Sequence, residues 1–477
     1  MQINRINDIT WEIPKEGDML VPVRIHASKK MLELVRGDRT LDQAVNCAKL
    51  KGVLKNIVVL PDAHEGYGAP IGGVGAFHQE NGIISPGFCG YDISCGVRML
   101  RTNLNENDLK PKIKELIEKI FRNVPSGLGS KGKIRLNYEQ LDEVLNTGAE
   151  WAVKNGYGWK RDLEHMEDSG MMEDADSSKV SDKAKQRGIP QLGSLGSGNH
   201  YLEIQRVDKI FLPEVAKAMG IEKEGQITAM IHCGSRGLGH QVATDYIRVM
   251  EKAMKKYNIR IPDMELACAP AQSKEAQAYF NAACSAVNFA LANRQMILHW
   301  VRESFEKVFR QSSEDLGLNL IYDVSHNIIK QEEHEIDGSK SKVWLHRKGS
   351  TRAFPPMHPA LPDDYRKIGQ PVIIGGSMGT YSYLLVGTET GKETFFSTAH
   401  GAGRVMSRHA ALRKKRGEDV KKDLEKRGIT IMSAGLKTLA EEADFAYKNV
   451  TNVVEDCEKA GISKVVCRLK PLGVVKG

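Results

Sequence analysis

Apolar residues in this chain fall into short runs that stop abruptly, and most stops are histidine, aspartate or glycine. Residues 41–55 read as a short amphipathic helix, and Asn56-Ile57-Val58-Val59-Leu60 as a buried strand. That strand runs straight into Pro61-Asp62-Ala63-His64-Glu65-Gly66. Further on, Gln226–Ile231 reads as a strand stopping at His232, and Leu318–Tyr322 as one stopping at Asp323-Val324-Ser325-His326-Asn327. Pro371–Ile374 leads into Gly375-Gly376-Ser377-Met378, and the apolar end of Glu393-Thr394-Phe395-Phe396 precedes His400-Gly401-Ala402-Gly403-Arg404. Helical spacing shows in two longer stretches. Residues 106–123 put Ile113, Leu116, Ile117 and Ile120 on one face, with Pro125 beyond; residues 272–309 hold the period over about ten turns, as one helix or two with a break.

Strands punctuated by helices and glycine turns predict an α/β (α+β) fold with central sheets and peripheral helices. Strand ends are where such proteins assemble their sites. The candidate residues span positions 62 to 400, which predicts one large catalytic domain over 1–477 and no separable module. Residues 161–188 are densely charged and read as a polar, mobile surface insertion. A basic helix is predicted over 404–416, and Arg347–Arg352 reads as a cationic loop; both could track a polyanion.

Composition narrows the picture only slightly. The 68 basic side chains exceed 60 acidic ones, a net charge of +8 that permits a polyanionic partner without requiring one. Eight cysteines are scattered with no C-x-x-C pair, which argues against zinc ribbons and thioredoxin-like motifs. No apolar segment approaches the about eighteen residues of a membrane span, and no signal region is seen, so a cytoplasmic protein with reduced thiols is expected.

Asp92, Cys95, His200, His232 and His326 are the candidate metal ligands. Five ligands exceed the needs of a tetrahedral structural zinc and suit two ions if the Cys95 thiolate bridges them. Paired ions about 3.5–4 Å apart commonly serve displacement at phosphorus. Thiolate and imidazole favour zinc or cobalt, while the carboxylate admits manganese. Neither a P-loop nor a lysine-centred nucleotidyl-transfer motif is present. His400 is therefore the leading nucleophile toward a nucleotide, although its glycine-rich surroundings also suit a metal ligand or proton carrier. Asp62 and His64 fit acid–base work at an incoming hydroxyl, or stabilisation of their own turn.

Taken together, Pro61–Gly66, Asp92-Ile93-Ser94-Cys95-Gly96, Gly198-Asn199-His200, His232–His240, Ser325-His326-Asn327, His346–Phe354, Gly376–Thr380 and His400–Arg404 resemble the RtcB family of RNA ligases along essentially the whole chain. The resemblance implies a GTP- and Mn²⁺-dependent 3′-phosphate/5′-hydroxy nucleic acid ligase. It would join RNA 2′,3′-cyclic phosphate or 3′-phosphate ends to 5′-hydroxyl ends, in tRNA splicing and RNA repair. It further implies two manganese ions, one on Asp92, Cys95 and His200 and the other on Cys95, His232 and His326, with His400 guanylylated. By the same carry-over, guanylate contacts fall to Asn199, His200, Tyr201, Leu202, Glu203, His326, Asn327, Gly375, Gly376, Ser377, Met378, Ser382, His400, Gly401, Ala402, Gly403 and Lys476. Tyr447 would stack on the base and Arg404 would clamp phosphate. The implied partners are tRNA halves, GTP and the activator archease, with the chain a monomer. Cys233, Ala399 and Met357 depart from the family pattern without removing a ligand. A dinuclear metallophosphoesterase is the main alternative, and a non-enzymatic RNA-binding scaffold the next.

Overall fold

A computed structural model describes all 477 residues. Two large sheets carry the architecture. In the seven-stranded sheet the order is Asn4–Arg5, Thr10–Ile13, Val23–His26, Val53–His64, Ile71–His78, Ser339–Lys348, Ile328–Ile336. In the second sheet Asn319–Ser325, Gly96–Asn105, Gln226–Cys233, Tyr201–Ile210, Ser463–Lys476, Ser382–Gly387 and Pro371–Ile374 lie side by side, with Thr430–Ser433 as an eighth strand beside Ser463–Lys476. The fold is thus α/β of the mixed kind expected. No helix is long and apolar enough to cross a membrane.

Neighbouring strands of the second sheet run antiparallel through the region of interest: Ser325 faces Gly96, Gly96 faces Cys233, Tyr201 faces His232 and Lys476 faces Tyr201. Such pairing brings the starts of some strands and the finishes of others to one rim. Asp92 and Cys95 sit just before a strand, His200 before another, His232 one residue from the end of a third and His326 just after a fourth. The rim of the seven-stranded sheet adds His64 and Lys348 to the same cavity.

Lys274–Phe309 forms one unbroken helix of 36 residues, capped by Ser273 Oγ accepting from Ala276 N and closed by Arg310 in the left-handed region. Apolar residues encircle it, so the helix is buried on most faces and packs on the strand Gln226–Cys233. Its polar residues Asn293, Arg294 and Gln295 are fully buried, and a buried polar group must find partners in the protein.

Several local expectations change. The helix predicted over 41–55 is Thr40–Cys47, because the strand begins at Val53 and runs to His64. Residues 106–123 split into Glu106–Leu109 and Ile113–Asn123, with Pro111 between them. The basic helix shrinks to Arg408–Lys414, since Arg404 lies in an irregular bridge to Tyr447.

Within residues 161–188 the expectation of solvated charge fails at two carboxylates. Asp162 is 2% exposed and receives both terminal nitrogens of Arg302, at 2.6 and 2.7 Å. Glu167 is equally buried and pairs with Lys330 at 3.2 Å. Charge density suggested solvent, but oppositely charged groups from the long helix and the first sheet neutralise these carboxylates. Arg347–Arg352 likewise fails as a cationic surface loop. Arg347 is fully buried against Glu332 and Ser397 Oγ, and Arg352 is buried beside Asp168.

Candidate functional site

A cavity of about 840 Å³ opens where the two rims meet. Asp92, Cys95, Asn199, Tyr201, His232, His326, Asn327, Gly375 to Met378, His400 to Arg404, Tyr447 and Lys476 all line it.

At its floor the five expected ligands converge. Asp92 Oδ2 lies 2.8 Å from His200 Nε2, and Cys95 Sγ lies 3.6 Å from the same nitrogen and 3.2 Å from His232 Nε2. The donor atoms of Asp92, Cys95 and His200 fall within 4.8 Å of one another. The His326 ring sits 5.4 Å from that of His232 and 5.1 Å from that of His400. Each imidazole is oriented from behind. His200 Nδ1 donates to Leu195 O at 2.9 Å, His232 Nδ1 to Asn199 O at 3.0 Å, and His326 Nδ1 lies 3.0 Å from Thr351 Oγ1. This leaves every Nε2 facing inward, the usual arrangement of ligating histidines.

The electrostatics suit a cation. Burial and the nearby imidazoles hold His232 and His326 well below the ordinary imidazole value, so both present neutral lone pairs. His326 Nε2 is buried with no hydrogen-bond partner at all, an unsatisfied acceptor that a metal ion would satisfy. Burial opposes a charge on His200, yet Cys233 and Asp92 on either side keep it well above the ordinary value. Burial and Asp92 push the Cys95 thiol up to about 12, a cost that a bound cation reverses. The Asp92, Cys95 and His200 donors are therefore compatible with a bound metal ion, with His232 and His326 beside them.

His400 stands beside this cluster, at the end of the short strand Ser397–Ala399 that pairs with Ser350–Arg352. Asp62, wholly buried, holds it from behind. Its Oδ2 accepts from the backbone N–H groups of His400 and Gly401, at 3.0 and 3.3 Å, and lies 2.6 Å from His400 Nδ1. Burial works against the Asp62 charge, but the His400 ring, those hydrogen bonds and Lys448 together hold its carboxyl below the ordinary range. Asp62 does not line the cavity, so of its two sequence readings the geometry fits the one that fixes the turn. Gly403 has φ +74°, and a Cβ there would meet Asp62 O at 2.0 Å; only glycine closes this loop onto the aspartate.

On the far wall, Gly375 bridges to Gly401, and Gly376 N donates to Ser382 Oγ at 3.1 Å. Lys476 and Glu203 are both buried, and burial moves Lys476 down to about 8 and Glu203 up to about 8. Four expected contacts are not at the surface of the cavity: His200 and Glu203 lie buried behind it, Leu202 packs in the apolar core, and Ser382 reaches it only through Gly376. Arg404 is engaged by the protein itself. Its guanidinium donates to Met406 O, Glu441 O and Tyr447 Oη, and lies 5.0 Å over the Tyr447 ring. It braces Tyr447 and holds few donors free for a phosphate.

Sequence reading missed Glu442, 2% exposed, which pairs with Arg404 and Arg408 at the cavity wall. It also missed Lys348 as a cavity residue; burial lowers it to about 8, and its Nζ donates to Gly87 O at 2.9 Å. The cationic run Arg347–Arg352 signalled Lys348, whereas nothing local marks Glu442.

A family model described as tRNA-splicing ligase RtcB matches residues 43–477. A protein of Thermococcus kodakarensis named tRNA-splicing ligase RtcB is 58% identical over 477 residues, spanning 100% of this chain and 99% of its own length. Proteins of the same name from Archaeoglobus fulgidus and Pyrobaculum aerophilum are each 54% identical, again over 100% of this chain and 99% of their own lengths.

Proposed function

The chain belongs to the RtcB family of tRNA-splicing ligases, and from that premise we propose that it seals RNA 2′,3′-cyclic phosphate or 3′-phosphate ends to 5′-hydroxyl ends with GTP, through a guanylylated His400. Substrates would be tRNA halves and broken RNAs, the activator would be archease, and one large catalytic domain would carry the whole reaction. The observation that supports this most strongly is the pose of His400. Asp62 occupies its Nδ1 side, leaving Nε2 toward the cavity and the ligand cluster.

In this reading the Nε2 lone pair attacks the α-phosphorus of GTP; an N–P bond forms, the α–β P–O bond breaks, and pyrophosphate leaves. Asp62 stabilises the positive charge that develops on the ring. An oxygen of the RNA 3′-phosphate then displaces the histidine, leaving guanylate on the RNA. The 5′-hydroxyl oxygen finally attacks the RNA phosphorus and GMP departs, the hydroxyl proton passing to solvent. A cyclic phosphate is first opened by water. Asp92, Cys95, His200, His232 and His326 would hold two Mn²⁺ ions, whose charge would neutralise the crowded phosphates. Lys476, at the cavity surface, would offer a donor to the edge of a guanine, and the Gly375–Gly376 and Gly401–Gly403 backbone would lie against the phosphate.

Incubation with α-³²P-GTP and Mn²⁺, followed by a denaturing gel, tests the proposal. Label on the protein that survives alkali, is lost in acid and vanishes in His400→Ala is expected. An unlabelled protein that hydrolyses phosphate esters would return the dinuclear phosphoesterase.

A further inference from the structure

Four separate chain segments bring the ligands together, and no ligand touches more than its near neighbours. Two consecutive side chains of the long buried helix, Asn293 and Arg294, reach all four. Successive residues of an α-helix point about 100° apart, so the two address different loops.

Arg294 is fully buried. Its Nη1 donates to Ser94 O at 2.7 Å, next to Cys95, and to Cys233 O at 3.0 Å, next to His232. Its Nε and Nη2 grip Asp323, at 2.9 and 2.7 Å, on the strand that ends at His326. The guanidinium has room because residue 96 is glycine: a Cβ there would stand 3.1 Å from Arg294 Nη1 and 2.3 Å from Val324 O. Asn293, also fully buried, takes the fourth segment. Its Oδ1 accepts from Gly193 N at 2.7 Å and Ser194 N at 3.2 Å. Its Nδ2 donates to Ser194 O at 3.2 Å and Gly234 O at 3.1 Å. Leu195, the next residue, is the acceptor that orients His200.

We infer that Asn293 and Arg294 are positioning residues that set the spacing of the five metal donors, the helix acting as a common ruler for loops that are remote in sequence. The inference rests on the reading of those donors as a metal site. A guanidinium with five fixed planar donors can hold four oxygens of three groups in a set geometry; a lysine ammonium cannot. Groups that orient metal ligands typically carry about 10–100-fold of the affinity.

The test titrates full-length protein with Co²⁺ alone, without GTP or RNA, following thiolate-to-cobalt absorption, with melting curves in parallel. Wild type should bind with a thiolate band; absence of binding would sink the metal reading itself. Arg294→Lys and Asn293→Ala should each stay folded and lose at least about tenfold in affinity. Arg302→Lys is the control, because it weakens an equally buried ion pair, with Asp162, away from the ligands. It should lower the melting temperature and leave Co²⁺ affinity within about twofold. Wild-type affinity in Arg294→Lys and Asn293→Ala would overturn the inference. So would losses no larger than the control's, or failure of both variants to fold, which would make the pair scaffold and nothing more.

Discussion

Replacing Asp62 by asparagine isolates what the buried carboxylate does for His400. The substitution keeps shape and volume, so the backbone donors of His400 and Gly401 still find an oxygen. What disappears is a negative charge 2.6 Å from Nδ1, at a site with no solvent exposure. Taking charge centres about 4 Å apart and an effective dielectric constant of about 20, that charge stabilises a developing imidazolium by about 4 kcal/mol. The loss corresponds to about a thousandfold in rate. Single-turnover labelling with α-³²P-GTP at saturating Mn²⁺ measures the rate directly. Because Asp62 does not line the cavity, the GTP concentration for half-maximal labelling should hardly move. A rate within tenfold of wild type, or a loss that saturating GTP restores, would refute the reasoning.

Three further outcomes are expected. Stripping metal with a chelator should abolish labelling and Mn²⁺ should restore it, with Zn²⁺ inhibiting; robust joining in Mg²⁺ alone would contradict the thiolate–imidazole site. Gly403→Ala places a Cβ 2.0 Å from Asp62 O at φ +74°, so labelling should be lost together with about 1–3 kcal/mol of stability in denaturant titration. Burial lowers His26 to about 4, and neither ring nitrogen has a partner. Below the unfolded value near 6.5 the unfolded chain therefore binds the extra proton, and stability falls as pH drops from 6.5 toward 4 by up to about 1.4 kcal/mol per pH unit. His26→Leu should remove that increment, read as a flatter melting temperature against pH; an unchanged slope would assign the acid sensitivity elsewhere.

The ligands were legible because each stands at the end of an apolar run or in a glycine-rich turn, and such a strand end is where a polar side chain can face a cavity. The single long helix was legible from its period. Pairing was not. Nothing local says that strands 96–105, 201–210, 226–233 and 319–325 lie antiparallel, so the rim mixing strand starts with strand finishes emerged only in three dimensions. The same blindness made Asp162, Glu167, Arg347 and Arg352 look solvated, since a charge looks the same in sequence whether water or a buried counter-ion neutralises it. Asn293 and Arg294 sat unremarked within an apolar helical pattern for that reason too.

The order of strands in the second sheet carries a consequence for biogenesis. Ser463–Lys476 is an interior strand, flanked by Tyr201–Ile210 and Ser382–Gly387, yet it leaves the ribosome after both. Until it arrives, those neighbours face one another across a gap with unsatisfied main-chain hydrogen bonds, the kind of open edge that invites pairing with other chains. Long-range closure of this sort is slow. Chains terminated before Ser463 should therefore be aggregation-prone.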